Sequence, residues 1–128
     1  MKTTHCYQLF DADSGKLLLA QTQVAVSWWS RFAGLMLRKN LEGGLLIAPC
    51  ASLHTMWMRF AIDVFFLSSR GTVMEVRRSI PPWRLVIPKL KSHAVLETRT
   101  GQLHVGEGTA LKLAYRDQRV PRRLEFMV

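Results

Sequence analysis

Acidic residues are scarce in this chain. Nine Asp and Glu stand against eighteen Lys and Arg, for a formal net charge of +9 over 128 residues. Such an excess favours anionic partners, whether nucleic acid, acidic protein or a membrane surface. Cysteine is nearly absent. Cys6 and Cys50 form no CxxC motif and could make at most one bridge, so both read as thiols packed as small hydrophobes. No apolar run approaches the ~20 residues a membrane helix needs, and the longest, Ala61 to Leu67, is broken by Asp63. The N-terminus MKTTHCYQLFDADSG has one lysine and no apolar stretch of signal-peptide length behind it, which predicts a cytoplasmic protein. A Gly-rich phosphate loop, a G-x-S-x-G elbow, an H-E-x-x-H pair and a dinucleotide fingerprint are all missing, and no cofactor is expected.

What is present is a series of short apolar runs. HCYQLF, DADSG and KLLLAQT read as an opening hairpin, with turn residues between two strands. Trp28, Phe32, Leu35 and Met36 recur at helical spacing, with Ser27 as N-cap and Lys39-Asn40 suiting the end. They predict one short helix at about residues 28–37. Trp28 and Trp29 cannot share one face, because helical neighbours lie ~100° apart.

After Gly43-Gly44 come LLIAP, SLHTMWM, IDVFFLS, TVMEVRR, RLVIP, AVLETR and ALKLAYR, punctuated by Gly, Pro and Ser. Ser69-Arg70-Gly71 reads as a hairpin turn. Many short strands with frequent turns predict a mainly β fold, a compact sandwich or barrel-like structure. No helices separate the later runs, so a βαβ arrangement is excluded. The whole chain, 1–128, reads as one domain, with residues 116–128 a loosely packed basic tail or a last strand.

Three markers resemble a known family. The first is Arg31-x-x-Gly34-Leu35-Met36-x-Arg38. The second is Met58-Arg59-x-x-Ile62-Asp63-Val64-x-Phe66, followed by Gly71-x-Val73. The third is Leu96-Glu97 with Gly101 and then Gly106. In order and spacing the chain is similar, from about residue 24 to 113, to the bacterial and archaeal family called domain of unknown function 192. The resemblance implies a compact, mainly β domain and no particular activity. Many members look secreted, with a proline-rich segment before a Leu-Asp step and Leu-Pro-Ala-Gly after the glutamate. Here those segments read Arg-Phe-Ala-Ile-Asp and Glu-Thr-Arg-Thr-Gly, so an extracytoplasmic role does not carry over.

Cys50 and His54 are four residues apart. In a strand that spans ~13 Å. Two donors to one zinc lie at most ~5 Å apart, so only a sharp bend at Ala51-Ser52 would unite them. No metal site is expected. His54, Met56 and Met58 share one face of that strand. Thioethers there would suit Cu(I), but core filling by methionine is the simpler reading.

Asp63 is more informative, because a carboxylate inside an apolar run must be hydrogen-bonded, paired or protonated. Its first duty is expected to be structural, with backbone donors or Arg59 as partners. The functional reading puts it in a cleft with Met58, Arg59, Trp57 and Glu97. There Asp63 and Glu97 are the candidate catalytic acid and base, provided their environments split their pKa values.

The basic block supplies candidate anion-binding residues: Arg77, Arg78, Arg84, Lys89 and Lys91. Three functions compete. The first is a non-enzymatic module binding a small ligand or an anionic partner. The second is a small-molecule enzyme using Asp63 and Glu97. The third is a weak nucleic-acid binder through the 70–99 arginine block. Against the third, only Trp83 interleaves the cations, whereas stacking platforms use several aromatics.

Overall fold

The computed structural model describes residues 6–25, 43–49, 53–55, 58–114 and 126–127. The helix expected at 28–37 lies outside the described residues, as do Cys50, Met56, Trp57 and the basic part of the tail.

Among the described residues nine strands form: β1 (Cys6–Asp11), β2 (Leu17–Ala25), β3 (Gly44–Ile47), β4 (Leu53–His54), β5 (Ile62–Leu67), β6 (Val73–Ile80), β7 (Leu85–Val86), β8 (Ala94–Arg99) and β9 (Leu111–Ala114). Seven make one curled sheet, a half-barrel, in the order β6-β5-β8-β3-β2-β1-β9. The other two, β4 and β7, pair as a small ribbon. Every pairing is antiparallel except β2 with β3.

The strands form where the apolar runs predict them, and the turns use the expected residues. At the β1–β2 turn, Asp11 Oδ1 accepts from the amides of Asp13 and Ser14, and Gly15 takes φ +74°. At the β5–β6 turn, the Gly71 amide donates to the Ser68 carbonyl and Gly71 takes φ +79°. Only glycine reaches such angles without steric cost.

The two edges of the sheet meet at one end. Thr72 and Ala110 form a bridge, the Val73 amide donates to the Thr109 carbonyl, and the Gly108 amide donates to the Val73 carbonyl, each at 2.8 Å. This contact draws β6 toward β9 and satisfies backbone groups that an open edge would leave bare.

Two apolar clusters sit on the two faces. Tyr7, Leu9, Leu46, Phe65, Leu67, Val73, Leu96, Leu111 and Leu113 fill the first. It takes residues from both edge strands, so it lies inside the curl. Met127 is buried in the same cluster, with Phe126 packed against it. Ala25, Leu45, Ile47, Met58, Ile62, Val64, Phe66, Val86 and Val95 form the second, on the outer face, where Val86 of the ribbon covers the sheet. Strand β5 is buried at all six positions because it is covered on both sides.

Candidate functional site

The register of β5 decides the fate of the candidate carboxylates. Asp63 stands opposite Thr98, and Val64 stands opposite Glu97. Residues directly opposed share a face and successive residues alternate. Asp63 therefore points with Phe65 and Leu96 into the curl, while Glu97 points outward with Val64 and Leu45. Both are buried, at 0% and 3% exposure, on opposite sides of the sheet. Of the residues expected in one cleft, the register does not bring Asp63 to the same face as Met58 and Glu97. Met58 belongs to the outer cluster with Val64, on Glu97's side. Asp63 and Glu97, the candidate acid and base, face opposite sides of the sheet.

Asp63 is occupied by the fold. Its Oδ1 accepts from the Ser79 amide at 2.8 Å. Its Oδ2 accepts from the Gly101 amide at 2.9 Å and from Arg78 Nη1 at 3.1 Å. The structural reading of Asp63 thus matches these contacts, with one change of partner. The cation is Arg78 rather than Arg59, which is exposed. The pairing explains why. Ile62 faces Ile80 and Val64 faces Arg77, so β6 carries one extra residue there, a bulge. Ser79 adopts φ +56° in it, and Asp63 binds the amide that the bulge leaves unpaired.

Arg78 also donates to the carbonyls of Leu103 and Val105, and its guanidinium lies 5.7 Å from the Phe65 ring centre. Arg77 donates to Glu75 and, at 2.9 Å, to the Ile87 carbonyl. Of the five candidate anion-binding residues, these two are engaged by distant parts of the fold, whereas Arg84 Nη1 donates only to the neighbouring Trp83 carbonyl at 3.4 Å among the described bonds. Lys89 contributes its amide to Glu75 Oε1 at 2.8 Å. Burial alone would raise the Glu75 carboxyl. The Lys89 amide and the Arg77 bond and charge outweigh it and hold the pKa below its ordinary value.

Arg84, Lys89 and Lys91 lie exposed on the segment from β6 to β8. The same segment holds what sequence reasoning missed. Trp83 is 52% exposed, Leu85 65%, Ile87 59% and Leu90 68%. Leu85 and Ile87 point out on either side of buried Val86, the period-two alternation of a strand whose outer face has no cover among the described residues.

Buried Thr55 sets this segment in place. Its amide donates to the Arg84 carbonyl at 2.7 Å, and its hydroxyl donates to the Pro81 carbonyl at 2.7 Å. The Arg84 amide donates to that hydroxyl at 2.8 Å, and the Trp83 amide to the Thr55 carbonyl at 2.9 Å. Trp83 is held at φ +67°, a costly conformation for a bulky side chain. Trp57 lies outside the described residues, so its candidate role is not placed.

Two surface recesses are lined by described residues. One, about 420 Å³, is lined by Leu18, Gln21, Gly43 and Gln102 among others. The other, about 380 Å³, is lined by Met74, Glu75, Lys89, Leu90 and Glu107 at the foot of the exposed segment. No group of three His, Cys, Asp or Glu able to hold a metal occurs among the described residues. Among them, too, no helix is long and apolar enough to cross a membrane.

A family model described as an uncharacterized ACR, domain of unknown function 192, matches residues 10–113. The match begins earlier than residue 24 and so takes in the end of β1, Phe10 and Asp11, and all of β2. A UPF0127 protein of Thermococcus sibiricus is 34% identical over 99 residues, which is 73% of this chain and 64% of that protein. One from Pyrococcus furiosus is 32% identical, covering 73% of this chain and 84% of its own length. The chain thus spans a little under two thirds of the first relative. Among solved structures, a Sinorhizobium meliloti protein named provisionally as a transcription regulator has a TM-score of 0.72 at 23% identity, over 84% of this chain and 92% of that one. A Novosphingobium aromaticivorans protein of unknown function has a TM-score of 0.69 at 19% identity, over 84% and 83%. These likenesses carry the fold alone. With β1 to β9 inside or beside the matched span and relatives above 30% identity, the chain belongs to the family of domain of unknown function 192, the UPF0127 proteins.

Proposed function

We propose that this chain is a non-enzymatic binding module that acts in the cytoplasm and meets an anionic partner through the segment 81–91. One observation carries the reading. Trp83, Leu85, Ile87 and Leu90 stand more than half exposed among the exposed cations Arg84, Lys89 and Lys91. Exposed apolar side chains scattered singly are ordinary, but a contiguous group rimmed by charge marks a contact surface. The enzyme reading has less support, because Asp63 serves the β6 bulge and Glu97 faces the other side of the sheet. Nucleic acid is the weaker anionic partner, since Trp83 is the exposed large aromatic among the described residues and stacking uses several.

The test is retention on an immobilised polyanion such as heparin. The triple variant Arg84→Ser, Lys89→Ser, Lys91→Ser should elute at clearly lower salt than a control with the same charge loss, Lys16→Ser, Arg70→Ser, Lys112→Ser. Equal shifts in the two variants would mean that overall charge, not this surface, does the binding.

A further inference from the structure

From Val76 to Leu96 the chain carries five Lys and Arg and no Asp or Glu. Within that span, residues 83–90 hold four of the five large hydrophobic side chains that stand exposed among the described residues. Two independent clamps fix the backbone beneath them. Thr55 binds the 81–84 turn through the Pro81, Trp83 and Arg84 backbone. On the far side, Arg77 binds the Ile87 carbonyl and Glu75 binds the Lys89 amide. Several backbone polar groups of the segment are therefore satisfied before any partner arrives, which lowers the cost of entering a poorly hydrated layer.

Resting on the reading of this segment as the contact surface, we propose that it docks onto an anionic lipid bilayer. Trp83, Leu85, Ile87 and Leu90 enter the headgroup layer while Arg84, Lys89 and Lys91 meet the lipid phosphates. The chemistry favours a bilayer over an acidic protein. Lysine is depleted in protein–protein interfaces, and two of the three exposed cations here are lysines. Lysine suits a membrane surface, where its alkyl stem lies along apolar matter and its ammonium reaches the phosphates. Tryptophan concentrates at that same interface. The left-handed backbone at Trp83, over-determined by Thr55, fixes the position from which this anchor projects. A cytoplasmic setting would present the segment to the anionic inner leaflet.

Vesicle flotation tests the proposal. The chain should float with vesicles of phosphatidylcholine and phosphatidylglycerol in equal parts, and not with phosphatidylcholine alone. Removing any one of Arg84, Lys89 or Lys91 should weaken binding about fivefold. Trp83→Ser with Leu85→Ser should weaken it by about tenfold or more, while the melting midpoint and heparin retention stay unchanged. A second pair, Ile87→Ser with Leu90→Ser, guards against a folding defect in the first. Retention on heparin without flotation would overturn the lipid proposal and leave the anionic contact surface standing. Loss of both would overturn both. Flotation indifferent to all four apolar side chains would reduce the effect to charge attraction and overturn insertion. Equal binding to soluble polyglutamate and to the vesicles would point instead to an acidic protein.

Discussion

Arg78 crosses the β5–β6 bulge to place Nη1 3.1 Å from Asp63 Oδ2, while Nη2 reaches on to the Val105 carbonyl. The pair joins three pieces of chain: strand β5, the bulged end of β6, and the segment after β8. The Ser79 and Gly101 amides complete the carboxylate's shell.

Removing this carboxylate should cost stability. Asp63→Ala takes the acceptor from the Ser79 and Gly101 amides and leaves Arg78 only the Leu103 and Val105 carbonyls. Buried groups left unpaired cost roughly 1–3 kcal/mol each. For a domain of this size each kcal/mol moves the melting midpoint by about 3–5 °C. Asp63→Ala should therefore lower the midpoint by several degrees, and Asp63 and Arg78 should be non-additive in a double-mutant cycle. A midpoint that stays put or rises would take Asp63 out of the scaffold.

Thr55→Val keeps the shape and deletes the hydroxyl that bonds both Pro81 and Arg84. Expected effects are a loss of about 1–3 kcal/mol and faster amide exchange at Arg84. Unchanged exchange at Arg84 would show that the backbone bond from Thr55 holds the turn unaided.

Two glycines with positive φ separate conformational strain from collision. A Cβ on Gly43, at φ +74°, would lie 2.0 Å from the Gln21 carbonyl oxygen, whereas at Gly101, at φ +82°, it meets nothing within 4 Å. Gly101→Ala should cost only the left-handed penalty of about 1–2 kcal/mol. Gly43→Ala should cost more, because a strand carbonyl would have to move. Equal melting midpoints for the two variants would contradict this packing.

Glu75 makes stability depend on pH in a defined direction. Its folded pKa lies below the ordinary 4.5, so in mild acid the unfolded chain binds the proton first. Its contribution is fully present above that ordinary value and is lost as pH falls through the folded pKa. The difference in melting midpoint between wild type and Glu75→Gln should be largest at neutral pH and shrink on acidification. A difference that grows with acid would mean that burial dominates the carboxyl.

The sequence by itself determined the strands and their turns. Period-two apolar runs and residues such as Asp11, Gly15 and Gly71 act within a few positions, so β1, β2, β5, β6, β8 and β9 were legible, as was a structural duty for Asp63 inside an apolar run. The tertiary structure alone decided which residues meet. The face taken by Asp63 or Glu97 depends on the β5–β8 register, and a change of one residue reverses it. Arg78 replaces Arg59 beside Asp63 because a bulge in β6, invisible in local pattern, turns it there. RLVIP read as a strand, and its core is one, but alternation cannot say whether another layer covers the second face. Exposure of Trp83, Leu85, Ile87 and Leu90 is set by what the rest of the chain packs against them, a non-local quantity that no run of residues encodes by itself.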